Sequence, residues 1–139
     1  MVPLHCKRSV VDIQNKSAIK IEKWNKIVIE ASKQCRRNLI TKIEEALSFD
    51  GFIKTLCSYD LSLIACTGHS AKTLKSVLNT YPSIKTIACL IGPEGGFTSD
   101  EIEMAEKAGC IPISIGHSIL KIETAAIAIS SILLYAYSD

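Results

Sequence analysis

Hydrophobic and polar residues along this chain follow two alternating periods, one typical of β-strands and one of α-helices. Strand-like apolar runs occupy residues 2–6, 61–66, 84–91 and 111–115, and helix-like runs occupy residues 18–37, 49–57, 71–79, 98–109 and 121–137. Strands that alternate with helices predict an α/β fold with a mainly parallel sheet. The 84–91 run is apolar at nearly every position, which is typical of a strand buried on both faces.

Several helix ends carry capping signals. Ser70 is placed to cap the 71–79 helix, and Thr98 with Glu101 forms a capping-box pattern for the helix that follows. Gly109 then predicts the end of that helix.

Two helices have informative faces. The 18–37 helix has an apolar face made of Ile21, Trp24, Ile27, Val28, Ala31 and Cys35, with most of its basic residues opposite. The last helix is apolar almost all round, through Ala125, Ile129, Ile132, Leu133 and Leu134. Such a helix is buried either in the core or against another subunit.

Three loops follow predicted strands, at residues 67–70, 92–97 and 116–121. Ligands of parallel α/β sheets bind at loops beyond the carboxyl ends of the strands. The 92–97 loop contains Gly92, Gly95 and Gly96, which either bring the backbone close to a ligand or merely make a tight turn. Neither a P-loop nor a dinucleotide fingerprint is present, and Glu94 would repel a phosphate, so a nucleoside triphosphate is disfavoured.

Polar residues cluster where the last helix begins. Lys121, Glu123 and Thr124 are interpreted either as helix caps or as site residues. His117 is a possible acid or base, although a single histidine in a loop is more often only solvated.

Length and composition limit the classes of protein. The chain has 139 residues, 47% hydrophobic and 22% charged, which fits one folded domain and excludes a disordered chain. Aromatic residues make up 6%, which disfavours an aromatic platform for stacking bases. No secretory signal or membrane-spanning run is recognised, so we expect a cytoplasmic protein.

The six cysteines are spaced without any C-x-x-C pair. Zinc sites usually have close-set ligand pairs, so we expect no metal site and interpret the cysteines as reduced, half-buried thiols that pack as small hydrophobic residues.

Charge is distributed unevenly. Residues 1–42 contain ten Lys/Arg and three Asp/Glu, a net charge of +7, whereas residues 43–139 contain six and eleven, a net charge of −5. The basic part predicts either a surface for a polyanion such as RNA or simply a solvated helix face. Charge alone leaves both open.

Two motifs resemble those of a known family. Residues 90–97 read LIGPEGGF and are followed by Glu101, and residues 115–116 and 119–125 read IG and ILKIETA. Together with PL at 3–4, KRS at 7–9 and Trp24-x-x-Ile27, they resemble the RsmE family, the small-subunit (16S) ribosomal RNA uridine-N3 methyltransferases of the SPOUT class. The resemblance covers essentially the whole chain.

The resemblance implies a SPOUT-type parallel sheet with a carboxyl-terminal trefoil knot, which forms the catalytic domain over residues 1–139. The loops of the knot would bind S-adenosylmethionine, and the last helix would form a homodimer interface. The implied cofactor-binding residues are Thr67, Leu90, Ile91, Gly92, Glu94, Gly95, Ile115, Gly116, Ile119, Leu120, Thr124 and Ala125. The implied RNA-binding residues are Lys7, Arg8, Arg36 and Arg37.

Methylation of uridine N3 requires removal of the N3 proton. Lys121 would stabilise the developing uridinate, and Glu123 or Glu94 would act as the base.

The chain departs from the family in two ways. Lys121 stands where the family usually has arginine, which keeps the charge but loses the planar fork. The family also has an RNA-binding barrel and the first strand and helix of the domain before the stretch that matches residue 2. We therefore expect an amino-terminally truncated domain with poor turnover. The alternative is a SPOUT-like domain that binds cofactor or RNA without turnover.

Overall fold

The structure, a computed structural model, describes residues 1–9, 17–35, 39–68, 71–116 and 118–137. Its helices and strands are, in chain order, β1 (Leu4–His5), α1 (Ser17–Gln34), β2 (Leu47–Ser48), α2 (Phe49–Ile53), β3 (Leu61–Ala65), β4 (Lys72–Thr73), α3 (Leu74–Thr80), β5 (Ile87–Ile91), α4 (Ser99–Lys107), β6 (Ile111–Ser114) and α5 (Ile122–Tyr137). A 3-10 turn, Leu56–Ser58, follows α2.

The strands form parallel sheets, so the predicted α/β class is confirmed. The larger sheet has the order β4-β6-β3-β5, and β1 pairs with β2 separately. β3 is central, with Leu63 opposite Cys89 of β5 and Ile111 of β6. All these pairs are parallel, so the carboxyl ends of β3, β5 and β6 meet at one edge.

Hydrophobic side chains cover both faces of the larger sheet. Ile64 of β3 packs on one side with Leu90, Phe49 and Phe97, and Leu63 packs on the other with Leu74, Ile113 and Ile129. Consecutive strand residues point to opposite faces, so Leu63 and Ile64, both fully buried, place β3 at the centre of the fold.

β5 is less buried than its sequence predicts. Ala88 and Leu90 are buried, whereas Ile87, Cys89 and Ile91 are half-buried. The reason is position, because β5 lies at one end of the larger sheet. An apolar run does not by itself distinguish a central strand from a covered end strand.

The helix caps confirm some predictions and correct one. The Thr98–Glu101 capping box is present, and α4 ends in a Schellman motif with Gly109 at φ +90°. The cap of α3 is Thr73, whose hydroxyl accepts from Ser76 N–H, so this helix does not begin directly after Ser70, which itself lies outside the described residues. The helix starts later because Lys72 and Thr73 form a short strand against β6.

The two longest helices, α1 and α5, leave apolar side chains exposed to solvent. In α5 only Ile129 is buried, while Ile127 (69%), Leu134 (58%) and Tyr135 (91%) are exposed. Tyr137 anchors the end of α5 by donating its hydroxyl to the Tyr81 carbonyl (2.6 Å). Across the described ranges no helix is long and apolar enough to cross a membrane.

Candidate functional site

A pocket of about 870 Å³ opens at the carboxyl ends of β3, β5 and β6. Its walls come from the segments that follow these strands, from the segment that leads into α5, and from Arg8 after β1. Ile113 and Ile129, both almost fully buried, form part of its floor. The pocket therefore lies where parallel α/β sheets bind ligands.

Most of the residues predicted to bind a cofactor line this pocket. They are Thr67, Ile91, Gly92, Glu94, Gly95, Ile115, Gly116, Ile119, Leu120 and Ala125. They come from three loops far apart in sequence, and the parallel order of the strands brings them together. Lys121 and Glu123, the predicted catalytic residues, line the same pocket.

Leu90 and Thr124 do not line the pocket. Leu90, a residue of β5, is 1% exposed and packs in the core. Its side chain points to the face of the sheet opposite the face of Ile91. Thr124 is exposed on the first turn of α5. His117 and residues 69–70 lie outside the described residues.

Two glycines of the pocket, Gly92 and Gly116, suit their positions for different structural reasons. A Cβ on Gly92 would lie 3.1 Å from the Phe97 ring, so a side chain there would require the packing of the loop to shift. A Cβ on Gly116 would meet no protein atom within 4 Å. At Gly116 the backbone therefore faces open space in the pocket, which is what close approach to a ligand requires.

The glycine-rich loop makes a tight turn before α4. Gly96 N–H donates to the Pro93 carbonyl (2.7 Å), and Gly96 has φ +67°, a conformation that favours glycine. Phe97 is buried against Phe49, with ring centroids 5.5 Å apart. The far end of the loop is thus fixed in the core, while its glycines face the pocket.

The charged residues of the pocket are balanced in sign. They are Arg8, Lys121, Glu94 and Glu123, and all four are exposed. The deeper walls are formed by apolar side chains and backbone. This arrangement suits a zwitterionic or uncharged ligand better than a polyphosphate.

The basic turn after β1 is joined to the start of α4. Lys7 Nζ lies 3.0 Å from Asp100 Oδ2, and the Lys7 N–H donates to Glu101 Oε1 (2.8 Å). Arg8 Nη1 donates to the Gly95 carbonyl (2.7 Å). Of the four predicted RNA-binding residues, Arg8 therefore lines the pocket and Lys7 contacts the start of α4. The other two, Arg36 and Arg37, lie outside the described residues.

Several residues that line the pocket were not predicted to do so, among them Cys66 and Arg8. Cys66 follows β3 directly and lines the pocket, and burial raises the pKa of its thiol. Arg8 was predicted only as an RNA contact. No periodic sequence signal marks either residue. Arg8 reaches the pocket because β1 approaches the glycine-rich loop, which is a long-range feature of the fold.

The cysteines are free thiols, but they are not uniformly half-buried. Cys6 and Cys110 are buried, whereas Cys35 and Cys57 are exposed. Among the described residues no cluster of His, Cys, Asp and Glu has the arrangement of a metal site.

Comparison with known proteins establishes the class. Residues 1–134 match the family model described as an RNA methyltransferase domain. Because this match covers nearly the whole chain, the chain belongs to the RNA methyltransferase domain family.

Particular relatives agree with this. The chain is 34% identical over 135 residues to the ribosomal RNA small subunit methyltransferase E of Buchnera aphidicola (subsp. Acyrthosiphon pisum), covering 97% of this chain and 50% of that protein. It is 28% identical over 139 residues to the protein of the same name from Bacillus subtilis, covering 96% and 54%. The chain thus spans about half the length of these relatives.

Solved structures show the same architecture. A methyltransferase from Legionella pneumophila, in complex with the bound cofactor SAM, matches with a TM-score of 0.89 and 35% identity over 99% of this chain and 55% of that one. The ribosomal RNA small subunit methyltransferase E of Neisseria gonorrhoeae, bound to S-adenosyl methionine, matches with a TM-score of 0.86 and 26% identity, covering 97% of this chain and 54% of that one.

Proposed function

We propose that residues 1–139 form the catalytic domain of an S-adenosylmethionine-dependent methyltransferase that acts on N3 of a uridine in small-subunit (16S) ribosomal RNA. The observation that carries this proposal is the pocket itself. Both motifs of the family resemblance line it, in a chain of the RNA methyltransferase domain family. The names of the relatives and the cofactor in two similar structures support it.

The residues of the pocket fit this cofactor. A volume of about 870 Å³ lies within the range of small-molecule sites. Ile91, Ile115 and Leu120 offer apolar contacts for an adenine ring. Gly116, whose carbonyl and N–H both bond to the Ser114 hydroxyl (2.7 and 3.3 Å), leaves open space for close approach of a ligand. Balanced charge at the rim suits a cofactor that carries both signs.

When bound, the cofactor supplies an electrophilic methyl group on a sulfonium. The chain itself then has two tasks, which are to orient the uridine and to manage its N3 proton. Lys121, which lines the pocket, would stabilise the negative charge that develops on the base. Glu123 or Glu94, both at the same rim, would accept the proton.

We also propose that the strand ends around the pocket form the trefoil knot of the SPOUT class, and that α5 forms a homodimer interface. The support for the knot is the gathering of three loops and the start of α5 at one edge of the sheet. The support for the dimer is the apolar surface of α5 that this chain leaves exposed. Lys7, Arg8, Arg36 and Arg37 remain our candidates for contacts with RNA phosphates.

The alternative function is a domain that binds cofactor or RNA without turnover. In either case RNA affinity scales with the number of phosphates neutralised.

Methyl transfer tests the proposal directly. The polypeptide of residues 1–139 is incubated with methyl-labelled S-adenosylmethionine and unmethylated small ribosomal subunits, beside a full-length relative. We expect slow incorporation, well below that of the relative, with the label on uridine N3, where it blocks base pairing and stops reverse transcriptase. Label on another atom contradicts the N3 assignment, and cofactor binding with no incorporation favours the alternative function.

Variants of Lys121 refine this test. Lys121→Met should lower the rate of methyl transfer at least about tenfold, the usual contribution of a group that acts on the proton or charge. Lys121→Arg, which retains the positive charge, should preserve most of the rate. Equal rates for Lys121→Met and the wild-type chain would remove Lys121 from the mechanism.

A further inference from the structure

We infer that Arg8 is a positioning residue of the cofactor pocket, because its guanidinium holds the backbone of the glycine-rich loop at Gly95. This inference rests on the proposed function and adds a role for a residue that the sequence assigned only to RNA. Three features of the structure support it.

The turn that carries Arg8 is fixed on both sides. Ser9 N–H donates to the Cys6 carbonyl (3.0 Å), and Cys6 N–H donates to the Ser9 hydroxyl (3.1 Å). Lys7 N–H donates to Glu101, a carboxylate that is 2% exposed and also accepts from Thr98 N–H (2.8 Å). The turn after β1 and the start of α4 are therefore held by one buried group.

Arg8 contacts the loop through its stem and through its guanidinium. A Cβ on Gly95 would lie 3.3 Å from Arg8 Cβ and 3.3 Å from Arg8 Cδ, so the loop backbone packs directly on the stem. Nη1 then donates to the Gly95 carbonyl at 2.7 Å. Bonds with a charged donor are stronger than neutral ones.

The loop needs such an anchor because three of its six residues, 92–97, are glycines. Gly92, Gly95 and Gly96 give it unusual backbone freedom, and ordering a free backbone costs binding energy when a ligand arrives. Phe97 fixes one end in the core. Arg8 fixes the middle, at the wall of the pocket that both residues line.

An exclusive role in binding RNA phosphates predicts different behaviour. If Arg8 served only phosphates, its loss would weaken RNA binding and leave cofactor affinity unchanged in the absence of RNA. If Arg8 positions the loop, cofactor affinity falls without any RNA present. The two roles are thus separated by a titration of the chain with cofactor alone.

The experiment is calorimetric titration of the polypeptide with S-adenosylmethionine, without RNA. We expect Arg8→Met, which keeps much of the stem and loses the donors, to weaken affinity about five- to tenfold. Arg8→Lys should restore part of the loss. Lys107→Met is the matched control, since it removes only an exposed ion pair with Glu103 away from the pocket lining, and its affinity should equal that of the wild-type chain.

A double-mutant cycle tests the contact with the stem. Gly95→Ala should weaken cofactor binding in the wild-type background, because its methyl group presses on Arg8 Cδ. The penalty should be smaller in the Arg8→Ala background, with melting temperatures of all four proteins alike. Additive penalties, or a fall in affinity that only follows a fall in melting temperature, would overturn the inference.

The outcomes also separate this inference from the proposed function. If the wild-type chain binds S-adenosylmethionine and Arg8→Met binds it equally well, the positioning role is overturned and the proposed function is not. If Arg8→Met loses only affinity for RNA, Arg8 is a phosphate contact only. No binding of S-adenosylmethionine by the wild-type chain overturns the proposed function and this inference together.

Discussion

Glu101 is the residue on which the geometry around the glycine-rich loop most depends. Its two carboxylate oxygens accept from Lys7 N–H and Thr98 N–H, both at 2.8 Å, and its side chain is 2% exposed. One acidic group thus serves as half of a capping box and as a tie between β1 and α4. Burial of a charge is tolerated here because both oxygens have donors.

Replacing Glu101 with glutamine should therefore be costly. The amide retains one acceptor and presents N–H groups to a backbone donor, so we expect Glu101→Gln to lower the free energy of unfolding by about 2 kcal/mol. Glu103→Gln on the same helix removes only an exposed pair with Lys107 and should change it by less than about 0.5 kcal/mol. Urea unfolding of the two variants measures both values, and equal stabilities would contradict this role for Glu101.

The raised pKa values of two cysteine thiols predict how the free energy of unfolding changes at alkaline pH. Burial raises the pKa of Cys89 from 9.0 to about 12, and that of Cys110 to about 12 as well. Because the folded pKa is raised, the unfolded chain loses its thiol protons first. This contribution to stability is complete below pH 9.0 and is lost as pH rises toward 12.

Removal of one thiol should reduce this loss. Above pH 9.0, we expect unfolding free energy to fall less steeply in Cys89→Ala than in the wild-type chain, by about 1 kcal/mol per pH unit. Cys57→Ala, at an exposed position, is the control and should keep the wild-type slope. Denaturant unfolding under reducing conditions at several pH values measures the slopes, and identical slopes for all three proteins would refute the assignment.

At the scale of elements, α5 differs most from an ordinary surface helix. It has a single buried residue, Ile129, and its exposed side includes Ile127, Leu134 and Tyr135. Exposed apolar surface of this kind on a helix is typical of an interface. The proposed partner is the α5 of a second copy.

A charge on this surface should separate the copies. Leu134 is exposed in the single chain, so Leu134→Asp leaves the core intact and disrupts only an interface, at a cost of about 3 kcal/mol or more. Met104→Asp, at a 38% exposed position of α4, controls for the added charge. Light scattering should give a dimer for the wild-type chain and Met104→Asp and a monomer for Leu134→Asp, and a wild-type monomer at micromolar concentration would contradict the proposed dimer.

Features that depend on neighbouring residues were predicted well from the sequence, whereas features that depend on contacts distant in sequence were missed. The capping box of α4 and its end at Gly109 depend on residues within a few positions of one another, so the sequence pattern identified them. The strands β2 and β4 have two residues each, too few for a period to be recognised. β4 exists because β6 provides its partner, and this pairing also displaced the predicted cap from Ser70 to Thr73.

At the scale of the whole molecule, parallel strand order explains why the candidate site could be predicted at all. Loops after β3, β5 and β6 must meet at one edge of the sheet, so residues as distant as Thr67 and Leu120 line one pocket. The contribution of Arg8 could not be predicted, because nothing in the sequence places the turn after β1 against Gly95. Gly92 lines the pocket, and its role toward a ligand stays a prediction; a Cβ there would also lie 3.1 Å from the Phe97 ring, so packing within the loop is a second reason for glycine.

The structure shows where part of the basic charge of residues 1–42 lies. The basic turn with Lys7 and Arg8 lies beside the pocket and contacts α4 and the glycine-rich loop. In the proposed function, this basic turn beside a pocket with balanced charge is the candidate contact for RNA phosphates. The account therefore depends first on whether the pocket binds S-adenosylmethionine.

The most direct measurement is calorimetric titration of the chain with S-adenosylmethionine and, separately, with ATP, repeated for two glycine variants. Gly116→Val places a side chain into open space of the pocket, whereas Gly68→Val does so outside the pocket lining. We expect the wild-type chain and Gly68→Val to bind S-adenosylmethionine and not ATP, and Gly116→Val to lose at least about tenfold in affinity. Preference for ATP, or unchanged S-adenosylmethionine affinity in Gly116→Val, would contradict the assignment of this pocket.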